Sequence, residues 1–157
     1  MPELQREAFV VVRELPSSVE AAWELLADFD FIPRWAPNVV SVETEPGPVG
    51  RGTIRRVQFT DYLLVERIEE WQPPAPRSAA RPGPPPPGGS GHLAYAVIES
   101  PWPIADHRVD MLLCPLGEQV RAVAVGVFRA PADQAESLRR SFQVFLGQCL
   151  RNMGRLL

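Results

Sequence analysis

Residues 8–15 (Ala-Phe-Val-Val-Val-Arg-Glu-Leu) form a short β-branched run, which predicts a strand stopped by Pro16. Ser17 stands three positions before Glu20, a capping-box spacing, and Val19, Ala22, Trp23 and Leu26 then recur at helical intervals. Asp28-Phe29-Asp30 ends that helix, and a second helical turn from Phe31 to Trp35 is closed by Pro37. Strand-like alternation follows at 39–43, 53–59, 63–71, 92–99, 106–114 and 120–129. Asp133 and Glu136 read as a second capping box, opening a helix of about 25 residues, or nearly 40 Å at about 1.5 Å per residue. Leu138, Phe142, Phe145, Leu146, Cys149, Met153 and Leu156 share one side of it, away from Arg140, Arg151 and Arg155.

Two segments punctuate the pattern. Val49-Gly50-Arg51-Gly52 closes a glycine-containing turn that leads into a strand, not a helix, so it is not a phosphate-binding loop. Residues 73–91 hold four consecutive prolines at 84–87 and end in Gly88-Gly89-Ser90-Gly91. Such a stretch cannot be sheet or helix interior. It reads as an inserted loop between neighbouring strands of a single domain spanning 1–157, either a lid or a tolerated insertion.

The element order predicts an α+β fold. A curved seven-stranded antiparallel sheet wraps around one long C-terminal helix, with two short helices after the first strand. Alternation points Leu93, Tyr95 and Val97 inward on one strand, and His107, Val109, Met111 and Leu113 on the next. On 120–129 it points Ala122, Ala124, Gly126 and Phe128 inward and leaves Val123, Val125 and Val127 outside. The small inward residues either enlarge a cavity or let the last helix pack closer. The outward valines suggest either a homodimer contact or an ordinary exposed strand.

Composition narrows the chemistry. The sixteen basic residues are all arginine, which excludes Schiff-base lysine chemistry and suggests a GC-rich bacterial genome. A net charge of −3 argues against a nucleic-acid partner. Cys114 and Cys149 form no Cys-x-x-Cys, and His92 and His107 lack helical metal-pair spacing, so neither metal nor cofactor is expected. No apolar run is long enough to span a membrane, and the start lacks a signal-peptide core, so a cytoplasmic protein is expected.

Several stretches carry a family resemblance: Ser17–Trp23, Asp28–Trp35, Val49–Gly52, Glu66–Pro73 and Pro101–Arg108. Together with the element order they resemble the helix-grip fold of the SRPBCC superfamily. That superfamily includes START lipid-transfer domains, birch-pollen-allergen-like proteins and polyketide cyclases. The resemblance is strongest to the bacterial polyketide cyclase/dehydrase group. It implies an internal cavity for an apolar or polyketide-like molecule. The protein would be a cofactor-independent cyclase, aromatase or dehydratase, or a non-catalytic carrier of a lipid, quinone or similar ligand.

Within that frame Arg67, His107 and Tyr95 are the catalytic candidates. His107 would shuttle protons. Arg67 falls where some aromatase/cyclase relatives place a functional arginine, and would hold an enolate or carboxylate. Tyr95 would donate to a ligand oxygen. Trp35, Phe59, Glu66, Met111, Phe128, Ser141 and Phe145 are expected to line the cavity. The parity of 63–71 stays open: one register buries Leu64, Glu66 and Ile68, the other Leu63, Val65 and Arg67.

Overall fold

A computed structural model describes residues 3–75 and 89–157. The lid reading of 73–91 falls largely on residues outside these.

The strands are β1 (Leu4–Leu15), β2 (Val39–Thr44), β3 (Ile54–Phe59), β4 (Leu63–Gln72), β5 (Gly91–Glu99), β6 (Ala105–Leu116) and β7 (Gln119–Pro131). They form one antiparallel sheet in the order β1-β7-β6-β5-β4-β3-β2. Helix α1 (Val19–Ala27) and a 3-10 turn (Phe29–Arg34) separate β1 from β2, and α2 (Ala132–Leu156) ends the chain. This is the helix-grip arrangement: sequential hairpins from β2 to β7, with β1 returning beside β7, and one long helix on the concave face. No described helix is long and apolar enough to cross a membrane.

The helix starts differ from the sequence reading. Ser18, not Ser17, caps α1, its hydroxyl accepting from the Ala21 N–H. Pro131 precedes α2 without a side-chain cap, and Asp133 lies inside the first turn, where its charge complements the helix dipole. On α2 the buried positions are Ala135, Leu146, Cys149, Leu150 and Met153, whereas Leu156 is exposed.

The inward faces of β5, β6 and β7 follow the alternation. Leu93, Val109, Met111, Leu113, Ala122, Ala124 and Phe128 are all buried. Gly126 lies opposite Phe9 on β1, and the Phe9 ring occupies the space a side chain at 126 would fill. Gly126 therefore admits an aromatic ring. On α2, a side-chain carbon added at Gly147 or Gly154 would stand 3.9 Å from Val11 or 3.4 Å from Leu15 of β1, an ordinary contact.

β4 takes the register that turns Leu64, Glu66 and Ile68 inward and leaves Leu63 and Arg67 outside. Bulges between Val65 and Glu66 and between Ile68 and Glu70 interrupt its pairing with β5. Leu64, Val65, Glu66 and Ile68 are all buried, whereas Arg67 is exposed.

Candidate functional site

Between the concave sheet and the N-terminal half of α2 lies a cavity of about 270 Å³. Its walls are mainly apolar: Phe9, Phe59, Leu64, Val97, Val109, Leu138, Phe142, Phe145 and Leu146. Aromatic rings run around one side in sequence. Phe59 stacks on Tyr62 at 4.7 Å, Tyr62 meets Trp102 at 5.0 Å, and Trp102 meets Phe142 at 5.2 Å. Edge-on and stacked contacts of this kind hold rings in fixed orientation.

Two loops place the outer rings. In the β3–β4 turn the Phe59 N–H donates to the Tyr62 carbonyl at 2.8 Å, and the Gln58 amide donates to the carbonyls of Phe59 and Tyr62. In the β5–β6 turn the Ser100 hydroxyl donates to the Trp102 carbonyl and accepts from the Trp102 N–H. Neither Tyr62 nor Trp102 was expected at the site. Both lie between predicted strands, and Trp102 also falls in the Pro101–Arg108 stretch that carries the family resemblance.

A smaller cavity of about 40 Å³ adjoins the first and shares Phe59, Glu66, Tyr95, Phe145 and Leu146 with it. Trp35, Met111, Arg55 and Cys149 stand in its wall. It has room for one ligand oxygen or a water. The buried Trp35 Nε1–H has no acceptor among the described residues. Burial pushes the Cys149 thiol up, so it stays protonated and unreactive.

A line of polar groups runs along these walls. Arg55 on β3 and Glu66 on β4 are directly opposite each other, and Arg55 Nε donates to Glu66 Oε1 at 2.8 Å. Both side chains are about 7% exposed, so the pair is desolvated. The guanidinium lies over the rings of Phe29 and Tyr95, at 4.5 and 4.9 Å from their centroids. Tyr95 in turn lies 6.1 Å from the ring of His107. Burial raises the Glu66 carboxyl above its usual range, against the opposing pull of Arg55. Tyr95 is raised by burial and by Glu66, so its hydroxyl keeps its proton.

His107 owes its setting to the end of a ladder. β5 pairs with β6 from Gly91↔Leu113 to Tyr95↔Val109, and the next rung would set Val97 opposite His107. The Val97 N–H instead donates to His107 Nδ1 at 3.0 Å. A bulge between Ala105 and Arg108, with Asp106 at φ 53°, turns the strand there. Since Nδ1 accepts, the proton of the neutral ring sits on Nε2. Burial pushes the pKa down to about 4, so the ring is neutral at ordinary pH. His107 therefore offers the cavity a donor, and its one basic lone pair is already occupied.

The placements divide the expected residues. Tyr95, His107, Phe59, Glu66, Ser141 and Phe145 line the main cavity. Trp35 and Met111 line only the small one. Phe128 lies behind the wall, its ring 5.1 Å from that of Phe142. Arg67 is on the convex face, where its guanidinium donates to Glu69 Oε1 at 2.7 and 3.0 Å. Alternation along β4 sets it on the face opposite Leu64, Glu66 and Ile68, away from the cavity, so it cannot hold a ligand there. The arginine that faces inward is Arg55, on the same alternate face as Phe59 and Val57. Counting back by twos from Phe59 finds it.

With this geometry in hand, the relationships are direct. The family model for polyketide cyclase / dehydrase and lipid transport matches residues 6–157. The chain belongs to this family. Members of the polyketide cyclase/dehydrase family share the SRPBCC helix-grip fold, and solved structures repeat it at low identity. A Thermobifida fusca protein is 24% identical with a TM-score of 0.69, the alignment covering 95% of this chain and 94% of that one. A Thermus thermophilus protein is 14% identical with a TM-score of 0.70, covering 95% of both. Norcoclaurine synthase from Thalictrum flavum, as a point mutant with a transition state analogue, is 12% identical with a TM-score of 0.68 over 99% of this chain and 96% of its own. No curated protein matches the sequence.

Proposed function

We propose that this family member binds a compact apolar or polyketide-like molecule in the cavity. We further propose that it acts on that molecule by proton transfer, as a cofactor-independent cyclase, aromatase or dehydratase. The observation that carries this reading is the buried line Glu66–Arg55–Tyr95–His107 along an otherwise aromatic and aliphatic wall. The aromatic side chains hold a flexible or ring-bearing ligand in one orientation. His107 Nε2–H and the Tyr95 hydroxyl donate to a carbonyl oxygen and stabilise the enolate formed from it. The Glu66 carboxylate takes the proton from the adjacent carbon. In a dehydration it then returns that proton to the departing hydroxyl, which leaves as water. Arg55 holds the carboxylate in place.

A second reading is a non-catalytic carrier. It is favoured by the ion pair itself, because Glu66 Oε1 is already occupied by Arg55. The family's description also includes lipid transport. A poly-β-keto thioester of N-acetylcysteamine, followed by absorbance of the aromatic product, separates the two. Glu66→Gln should cost about 10²-fold or more in turnover while affinity for 2-naphthol changes little. Saturable binding without turnover in the unsubstituted protein would favour the carrier.

A further inference from the structure

The two edges of the sheet are unlike. β2 is a short edge of six residues with a bulge between Val39 and Ser41. β1 is twelve residues long and pairs with β7 without a register shift, from Leu4↔Pro131 to Leu15↔Val120. Proteins protect open edges with shortness, bulges, prolines or central charges. β2 uses two of these devices. The middle of β1, Ala8-Phe9-Val10-Val11-Val12, uses none of them.

Val10 and Val12 are 53% and 56% exposed on the convex face, beside their cross-strand neighbours Val125 and Val123. The charges of β1 flank this apolar run, with Arg6 and Glu7 before it and Arg13 and Glu14 after it. Their order is self-complementary. In antiparallel pairing of two copies about Val10, Arg6 of one copy meets Glu14 of the other. Glu7 meets Arg13, Ala8 meets Val12, and Val10 meets its own equivalent. A slip by one residue would set Arg6 against Arg13 or Glu7 against Glu14, which like-charge repulsion disfavours. Arg6, Arg13 and Glu14 are exposed in the single chain.

We propose that β1 is a homodimer interface in which two copies join by antiparallel pairing of their β1 edges, centred on Val10. The pairing is isologous, closes on itself and continues the sheet across the two-fold axis. It consumes the one long unprotected edge among the described residues.

Sedimentation of the full chain tests this, from about 1 to 200 µM. The expected species approaches twice the 17.4 kDa chain mass. Val10→Lys, which sets two ammonium groups together at the axis, should leave a monomer. Arg6→Glu or Glu14→Arg alone should raise the dissociation constant about tenfold, and the two together should restore it. Circular dichroism shows whether Val10→Lys remains folded. If it does not, the charge-reversal pair decides. A monomer at the highest concentration, a dimer indifferent to Val10→Lys while folded, or failure of the double reversal to restore association would overturn the proposal.

Discussion

The proton on His107 Nε2 is placed by one backbone amide, that of Val97. Charging the ring would set a second donor against that N–H, inside a wall that already penalises charge. The folded-state pKa of about 4 lies below the ordinary value of 6.5, so the unfolded chain binds the extra proton first. Stability from this residue is therefore complete above pH 6.5 and is lost as pH falls toward 4. The shift corresponds to about 3 kcal/mol in all. Urea midpoints measured from pH 7 to pH 4 should fall, and His107→Gln should flatten the slope across that window. The Arg55–Glu66 pair supplies a second residue-scale test. Arg55→Met strands a buried carboxylate and should cost about 3 kcal/mol or more in chemical denaturation. Arg55→Met with Glu66→Leu should recover most of that loss, because neither charge then remains unpaired.

At the scale of elements, alternation carried β5, β6 and β7, whose inward faces match it residue by residue. On β4 it left two registers open. The strand takes the register that buries Leu64, Glu66 and Ile68, so Arg67 faces outward by plain alternation, and Val65 is buried as well. Arg55 was missed for a different reason. An arginine in Ile54-Arg55-Arg56 reads as solvated until a partner is known, and that partner, Glu66, comes from the opposite strand of a hairpin. Tyr95 and Phe145 were legible because they sit on regular stretches, and His107 keeps its inward direction although it lies in the irregular stretch between Ala105 and Arg108. The β1–β7 pairing gives a prediction of its own. Gly126→Ala must displace Phe9 and should cost about 1–3 kcal/mol, with Phe9→Leu recovering part of it. Gly50→Ala, which meets nothing within 4 Å, is the control and should be close to neutral in the same urea titration.

For the molecule as a whole, the sheet supplies a rigid half-shell and α2 closes it, so the cavity lies where two layers meet imperfectly. The polar line is confined to β3, β4, β5 and β6, while α2 contributes mainly aromatic and aliphatic wall together with Ser141. On the proposed function, binding and chemistry would rest on different elements. Phe142→Ala and Phe145→Ala should weaken ligand binding, whereas Glu66→Gln should affect the proton-transfer step. The central claim is that this cavity takes an apolar, ring-bearing ligand against the His107–Tyr95 donors. Titration with 2-naphthol, followed through amide and indole NMR resonances, tests it most directly. The account predicts saturable shifts at the Val97 amide, the Tyr95 amide and the Trp102 indole, with the convex residues Val10 and Val12 unmoved. Saturation without shifts at these three positions, or shifts confined to the convex face, would contradict it.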